Sequence, residues 1–334
     1  MSMHLHLAVI ARTKASGGGG GSGTNVDEAF FGGGQASAAE PSGSGASNVI
    51  DYFDRTSTSG NATDRGDMAV AKTASCGVHN ATNGFYLGAT STSSSTRNSI
   101  DYIDITTTSG NASDVGDLTT NGGLAAGVQG STYGYRCGNR DGRTESNVID
   151  YITLSSTSQS ATDRGDLSSA RGDAAGVSGS TYGFVGGAAV GSPSGKDDAY
   201  TSFNWIDYLD TSLTTGNAAD KGDLTVARRK PGGVSGASYG FFCGGFTTGD
   251  TSTYRAGGSN VIDYINIATT SGNATDRGDL NFSMDAAGTD SNGYTNGIVG
   301  SYSTFDYFDV TTTSGNGTDR GDRSVNRYYG ACAN

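Results

Sequence analysis

One block of about twenty residues returns six times along the chain, and nothing else in the sequence limits its fold so tightly. The first copy, "NVIDYFDRTSTSGNATDRGD", occupies residues 48–67, and relatives begin at Asn98, Asn147, Asn204 and Asn260. The sixth, from Ser303, reads "STFDYFDVTTTSGNGTDRGD". The Tyr of each "DY" pair stands at 52, 102, 151, 208, 264 and 307, so successive copies are 50, 49, 57, 56 and 43 residues apart. The last Asp follows that Tyr by 15 residues in all six. Insertions therefore fall only between blocks. Periods of this size mark propeller blades or other repeat arrays.

Each unit divides into four candidate strands when apolar alternation is read against Gly and Asn punctuation. In the third unit these are "LAAGVQG", "TYGYRCG", "NVIDYITLSS" and "ATDRGDLSS". In "NVIDYFD", Ile50 and Tyr52 point to one face and Val49 and Phe53 to the other, so the strand needs cover on both sides. A blade wedged between like blades has that cover. The two ends of the chain are complementary as well. "EAFFGGG" (residues 28–34) matches the second strand of a unit, and "RYYGACAN" (residues 327–334) matches the first, as in "RGDAAGVS" from Arg171. The expected fold is all-β: a six-bladed propeller over residues 25–334, closed by pairing of N- and C-terminal strands, with the C-terminal strand beside Phe30 and Phe31. Residues 1–24, with the Gly-rich "ASGGGGGSG", are expected to form an arm and linker. A linear solenoid is the alternative, but it has no use for complementary half-repeats and usually carries distinct caps.

Only 34% of the residues are apolar and 55 are Gly, so burial must be shared among many small units. The formal net charge of −12 argues against nucleic acid and anionic membrane surfaces as partners. The apolar stretch from Leu5 to Ala11 is short, and its charges follow it, which does not suit a signal peptide or a membrane span. Cys76, Cys137, Cys243 and Cys332 fall in different units without metal-site or disulfide spacing, and read as buried free thiols.

At "FFGGG", "VIDYFD" and "GDLTVAR" (residues 222–228) the repeat resembles the kelch type of β-propeller, in which a strand ending in Gly-Gly precedes a Tyr-Asp-like pair and a later Arg opens the next blade. The likeness covers roughly residues 25–334, and departs from kelch in lacking the fourth-strand Trp: the one Trp, Trp205, is in a third strand. The wording "NVIDYI", "TTTSGNATDRGDL" and "ARR" is similar to kelch-like propellers of virion proteins of tailed bacteriophages, notably those of cyanobacteria. The resemblance implies a non-enzymatic structural or appendage protein of the virion, on the tail, baseplate or fibre. Its partners would be other virion proteins, or a glycan or protein of the host surface.

"RGD" stands at residues 65–67, 164–166, 277–279 and 320–322 at one fixed place in the repeat, and once out of register at 171–173. Equivalent positions carry Lys221 and Val115, so the motif reads as a turn device and not as an adhesion ligand. The Arg is expected to pair with a carboxylate such as Asp51 or Asp54, latching each outer strand. "NAT", "NAS" and "NGT" at Asn61, Asn111, Asn273 and Asn316 match glycosylation acceptors, expected bare in a protein of phage type. Asn61, Asp64 and Asp67 miss the spacing of a calcium loop, so no metal or cofactor is expected. A carbohydrate-active or oxidase-type propeller enzyme is the alternative function. However, only His4, His6 and His79 are present, and no catalytic set can be assembled from them. An intracellular adaptor of the kelch kind is a third reading, with no companion domain to support it.

The turn between third and fourth strands has constant length, whereas the connection between second and third strands varies. The long versions are residues 35–47, 188–203 and 246–259. Recognition is expected on that variable rim, at Arg140, Arg143, Lys196, Tyr200 and Tyr254.

Overall fold

The computed structural model describes residues 8–11, 28–36, 46–54, 60–90, 97–142, 144–191, 200–247, 257–283, 287–288, 295–300, 304–322 and 327–328. Six four-stranded antiparallel sheets follow one another along the chain. The third is representative, with strands Ala126–Gln129, Tyr133–Asp141, Thr144–Thr153 and Thr162–Asp166, hydrogen-bonded in chain order from the axis outwards. These are the four strands expected from that unit's apolar alternation. The protein is a six-bladed β-propeller.

The core is divided among the seams. One cluster joins Phe30, Ile50 and Met68 of blade one to Tyr86, Ile103 and Ile105 of blade two. Corresponding clusters join blades two and three, three and four, four and five, and five and six. The ring closes through Ala29, Phe31 and Ala62 of blade one against Ile298 and Phe305 of blade six, with the Phe31 and Phe305 ring centroids 5.2 Å apart. The third strand is covered on both faces as its sequence requires: Ile149, Asp150 and Ile152 are all buried. A chain with few apolar residues achieves this because each blade is the cover of the next.

The innermost strands run so close that a side chain is excluded at one position. A Cβ on Gly176 would lie 1.9 Å from the Gly127 carbonyl oxygen, and one on Gly233 would lie 2.0 Å from that of Gly176.

The "RGD" triplets belong to the seams. In all six blades the ladder between third and fourth strands shifts by one residue, leaving Arg65, Val115, Arg164, Lys221, Arg277 or Arg320 as the bulged residue. The bulge turns that side chain away from its own ladder. The Arg was expected to meet a carboxylate, and the structure corrects this: its acceptors are backbone carbonyls of the next blade's turn. Arg65 donates to the carbonyls of Asp104 at 2.7 Å, Thr107 at 3.3 Å and Gly110 at 2.5 Å. Arg164 repeats the pattern on Asp210, Leu213 and Gly216, and Arg277 on Asp309, Thr312 and Gly315. A turn closed on three carbonyls presents a preformed site of negative potential, which a planar guanidinium fills with several donors at once. Arg320 reaches the Gly60 carbonyl at 2.8 Å, so the closing seam uses the same device. The triplet's Gly has φ near the limit that only glycine tolerates, 145° at Gly66, where a Cβ would come within 2.7 Å of the Gly110 oxygen. The Asn of "GNA" completes the joint: Asn111 Oδ1 accepts from the Asp67 amide at 3.0 Å, and Asn217 does so from Asp166 at 3.0 Å.

Carboxylates of the "DY" pairs take a different cation. Lys72 meets Asp101 at 2.9 Å, Arg136 meets Asp150 at 3.0 Å, Arg228 meets Asp263 at 2.7 Å, and Arg171 pairs with Asp207, all with buried side chains. Arg171 and Arg228 sit in the links between blades and Lys72 ends the fourth strand of blade one, so each pair ties one blade's exit to the blade that follows.

The ends of the chain differ from expectation. The sequence places the C-terminal strand beside Phe30 and Phe31, yet that edge of Glu28–Gly32 pairs with Ala8–Ala11, Val9 opposite Phe31 and Ile10 opposite Phe30. This strand comes from the stretch expected to be an arm. Arg327–Tyr328 pairs with Gln35–Ala36, Tyr328 opposite Gln35, and residues 329–334 lie outside the described residues.

Candidate functional site

The two ends of the ring differ in chemistry. In an up-and-down blade, the turns after the first and third strands share one end, and the connections after the second strand share the other with the links between blades. The first end is repetitive. Its third-to-fourth turns are the seam joints already described, and between the first-to-second turns of blades three to five lies a cavity of about 360 Å³ lined by Gln129, Ser131, Ser178, Ser180 and Ile267 among others. None of the described residues that line it is charged. Its floor is a relay across the first strands: the His79 amide donates to Gln129 Oε1 at 2.7 Å, that of Gln129 to Ser178 Oγ at 3.0 Å, and that of Ser178 to Ser235 Oγ at 2.8 Å.

The second end is irregular. In blades three and four the second and third strands run on past the bulge as Tyr133–Asp141 with Thr144–Thr153, and Tyr182–Val190 with Thr201–Asp210. This extension places Arg140 where its backbone exchanges hydrogen bonds with Gly123, 2.8 and 3.2 Å, near the end of the link into the blade's own first strand. The links themselves are strained: Ala74, Leu124, Asp173 and Lys230 all have φ between 53° and 61°. They are held so by a chain of amides running round the axis, Lys230 to the Asp173 carbonyl, Asp173 to that of Leu124, and Leu124 to that of Ala74, at 2.7 to 2.8 Å.

On this frame two residues expected at the rim come together. Arg140 and Tyr200 lie in different blades, and the Arg140 guanidinium carbon is 4.4 Å from the centroid of the Tyr200 ring. A second guanidinium, that of Arg229 in the link from blade four to five, is 5.5 Å from the same centroid and 5.8 Å from that of Phe246. Such contacts stabilise a cation that has left bulk water. Arg140 is only 4% exposed and pairs with Asp173 at 3.0 Å, so most of its charge is answered within the protein. Arg229 is 6% exposed, and among the described residues its buried Nε has no acceptor. The expected contacts Arg143, Lys196 and Tyr254 lie outside the described residues. Asp173 and Arg229 were missed by sequence reasoning, and both left a signal. Asp173 belongs to the one "RGD" out of register, and Arg229 is the second Arg of "ARR".

The remaining motifs resolve structurally. The seam arginines Arg65, Arg164, Arg277 and Arg320 are buried, out of reach of an adhesion receptor. Cys76, Cys137 and Cys243 are buried, and desolvation pushes the Cys76 thiol up to about 12. His79 is buried, its Nδ1 3.0 Å from the Asn80 carbonyl and its Nε2 3.2 Å from the Gln129 amide nitrogen. Among the described residues no three His, Cys, Asp or Glu side chains converge as metal ligands would. No protein-family model matches the chain, and no curated protein matches it significantly.

Proposed function

We propose that this propeller is a non-enzymatic component of a tailed-phage virion, a kelch-type ring that displays its irregular end to a partner on the particle or the host surface. The observation that supports the reading best is the division between the two ends. One is built from repeated seam joints. The other gathers Arg140, Tyr200 and Arg229 from two blades and an interblade link over a strained chain of hydrogen-bonded links. A rigid scaffold bearing unequal connections on one end suits display, because the scaffold bears the cost of ordering before the partner arrives. The Arg229 guanidinium would donate to an anionic or carbonyl oxygen of the partner, and Tyr200 would flank it. Terminal segments meeting at blade one fit the kelch manner of closure, and residues 1–24 provide an attachment arm when they are not held in that blade.

Mass spectrometry and imaging of purified particles test the placement. The expected result is a six-bladed ring on the tail, baseplate or fibre with its irregular end outward or against a neighbour. Recovery from lysate alone, never from particles, would overturn it.

A further inference from the structure

We propose that the cavity between the first-to-second turns of blades three to five is a binding site for a neutral sugar, the terminal unit of a glycan. It lies at the opposite end of the ring from Arg140, Tyr200 and Arg229. It does not depend on placement in a virion, and soluble sugars test it without particles.

The cavity exists because of what these turns are made of. Its walls come from three copies of one short turn, Gln129-Gly130-Ser131, Ser178-Gly179-Ser180 and Ser235-Gly236-Ala237. In blade two the same turn reads His79-Asn80-Ala81, and the Asn80 side chain reaches across to the Leu154 carbonyl, 2.7 Å away. Blades three to five have glycine in its place and rest their backbone directly on the following blade: a Cβ on Gly130 would lie 2.6 Å from the Thr211 carbonyl oxygen. No side chain can fill the space from that position. The residues that flank the glycines are small or uncharged, so about 360 Å³ stays open, enough to hold a small ligand.

The lining sets the chemistry of the ligand. Gln129 is nine-tenths buried, and its orientation is fixed because Oε1 accepts from the His79 amide. Its Nε2 then faces His79 Nε2 at 3.2 Å, which uses one of its two protons. The second has no acceptor among the described residues. Ser178 Oγ accepts from the Gln129 amide at 3.0 Å, and its own proton is likewise without an acceptor among the described residues. Ser131 and Ser180 add exposed hydroxyls at the mouth, and Ile267 supplies an apolar wall. Such a set asks for acceptor oxygens carried on a compact frame with one apolar face. An ion entering it would lose water beside lining residues that bring no opposite charge. A pyranose brings oxygens for Gln129 and Ser178, hydroxyl protons for the serine oxygens and a C–H face for Ile267, with no net charge to desolvate.

The experiment titrates the full chain with methyl α-glucopyranoside, methyl β-galactopyranoside and methyl α-mannopyranoside, read by NMR at the Ile267 methyl groups and the Gln129 and Ser178 amides. At least one of the three is expected to bind with a Kd of about 1 to 10 mM, the range for an uncharged ligand of about a dozen heavy atoms. Gln129→Glu keeps an oxygen for the His79 amide but removes both Nε2 protons, and is expected to weaken that sugar at least about tenfold. Ser180→Trp fills the mouth from an exposed position that the fold does not need, and is expected to weaken it as much; it decides the matter if Gln129→Glu does not fold. Full affinity in Ser180→Trp, or in folded Gln129→Glu, would overturn the proposal. So would tighter binding of glucuronate or sulfate than of any neutral glycoside, or no shift at Ile267 with any of the three sugars.

Discussion

The seam between blades two and three does the same work as the others with different residues. Elsewhere a bulged Arg or Lys reaches into the next blade's turn. Here the bulged residue is Val115, which has no donor to offer. Opposite it, where the other turns have Gly110, Gly216, Gly272 or Gly315, stands Gln159. Its side-chain amide donates to the Thr153 carbonyl at 2.6 Å and to that of Ser156 at 2.9 Å. Those two carbonyls hold the repeat positions of Asp104 and Thr107, the acceptors used by Arg65. The same unit has a second exchange. The repeat position held by Lys72, Arg171 and Arg228 is Gly122, with φ of 127°, where a Cβ would come within 2.7 Å of Asn139 Oδ1. The cation is supplied instead by Arg136, on the second strand of the blade that contains Asp150. What the repeat preserves is satisfied acceptors, and which residue satisfies them varies.

The comparison predicts the largest effect at the buried pairs. Arg136→Met leaves the Asp150 carboxylate buried with its ion-pair partner gone and is expected to cost about 3 to 5 kcal/mol in urea unfolding. Combining it with Asp150→Leu should recover most of that loss, because two apolar residues leave no charge to solvate. Desolvation already raises the Asp150 carboxyl above its ordinary range. A group whose folded pKa lies above its unfolded value binds its proton more tightly when folded. The deficit of Arg136→Met should therefore shrink as pH falls from about 7 to about 4, and grow as it rises again. A deficit independent of pH would show that the carboxylate is not the group left exposed to the low-dielectric core.

Ordinary seams come next. Arg277→Ala removes the donors held by Asp309, Thr312 and Gly315, together with a guanidinium 4.7 Å from the Phe308 ring, and is expected to cost about 2 to 3 kcal/mol. Arg277→Lys should recover part of it, since Lys221 meets the Ser271 and Gly272 carbonyls at 3.2 Å in the same role. A smaller effect separates the two kinds of seam. Gln159→Gly alone should cost about 1 kcal/mol, and Val115→Arg alone should gain nothing, because its carbonyls are taken. Together they should restore an ordinary seam, with a coupling of about 1 kcal/mol in a double-mutant cycle. Strict additivity would mean that the two positions do not share acceptors. Last, Cys76, Cys137 and Cys243 should resist thiol reagents until the protein unfolds, a null result that mass spectrometry of labelled protein would check.

Much of the architecture was legible because the constraint on a blade is local and repeated. The constant offset from Tyr to Asp fixes the third strand, its turn and the fourth strand, and the apolar positions of "NVIDYF" require neighbours on both faces. The partner of the "RGD" arginine was not legible. Four carboxylates, Asp51, Asp54, Asp64 and Asp67, lie near Arg65 in sequence, but the acceptors are backbone carbonyls, which carry no residue signature. The bulge that turns the side chain towards them comes from pairing geometry. The rim was half legible. Arg140 and Tyr200 stood out as charged and aromatic residues near variable connections, yet Asp173 and Arg229 lie in links whose left-handed backbone and circumferential amide chain arise only when blades are placed side by side. The N-terminal strand was missed because "LHLAVIA" precedes a Gly-rich stretch and belongs to no repeat. Only the pairing across Ala8 and Gly32 reveals it.

A crystal structure of the protein at a resolution that places guanidinium groups bears most directly on the closed ring of seams. The Arg320 side chain should lie on the Gly60 carbonyl with Phe31 packed against Phe305, closing blade six on blade one as Arg65 closes one on two. An open array, or Arg320 pointing into solvent with Phe31 and Phe305 apart, would contradict it.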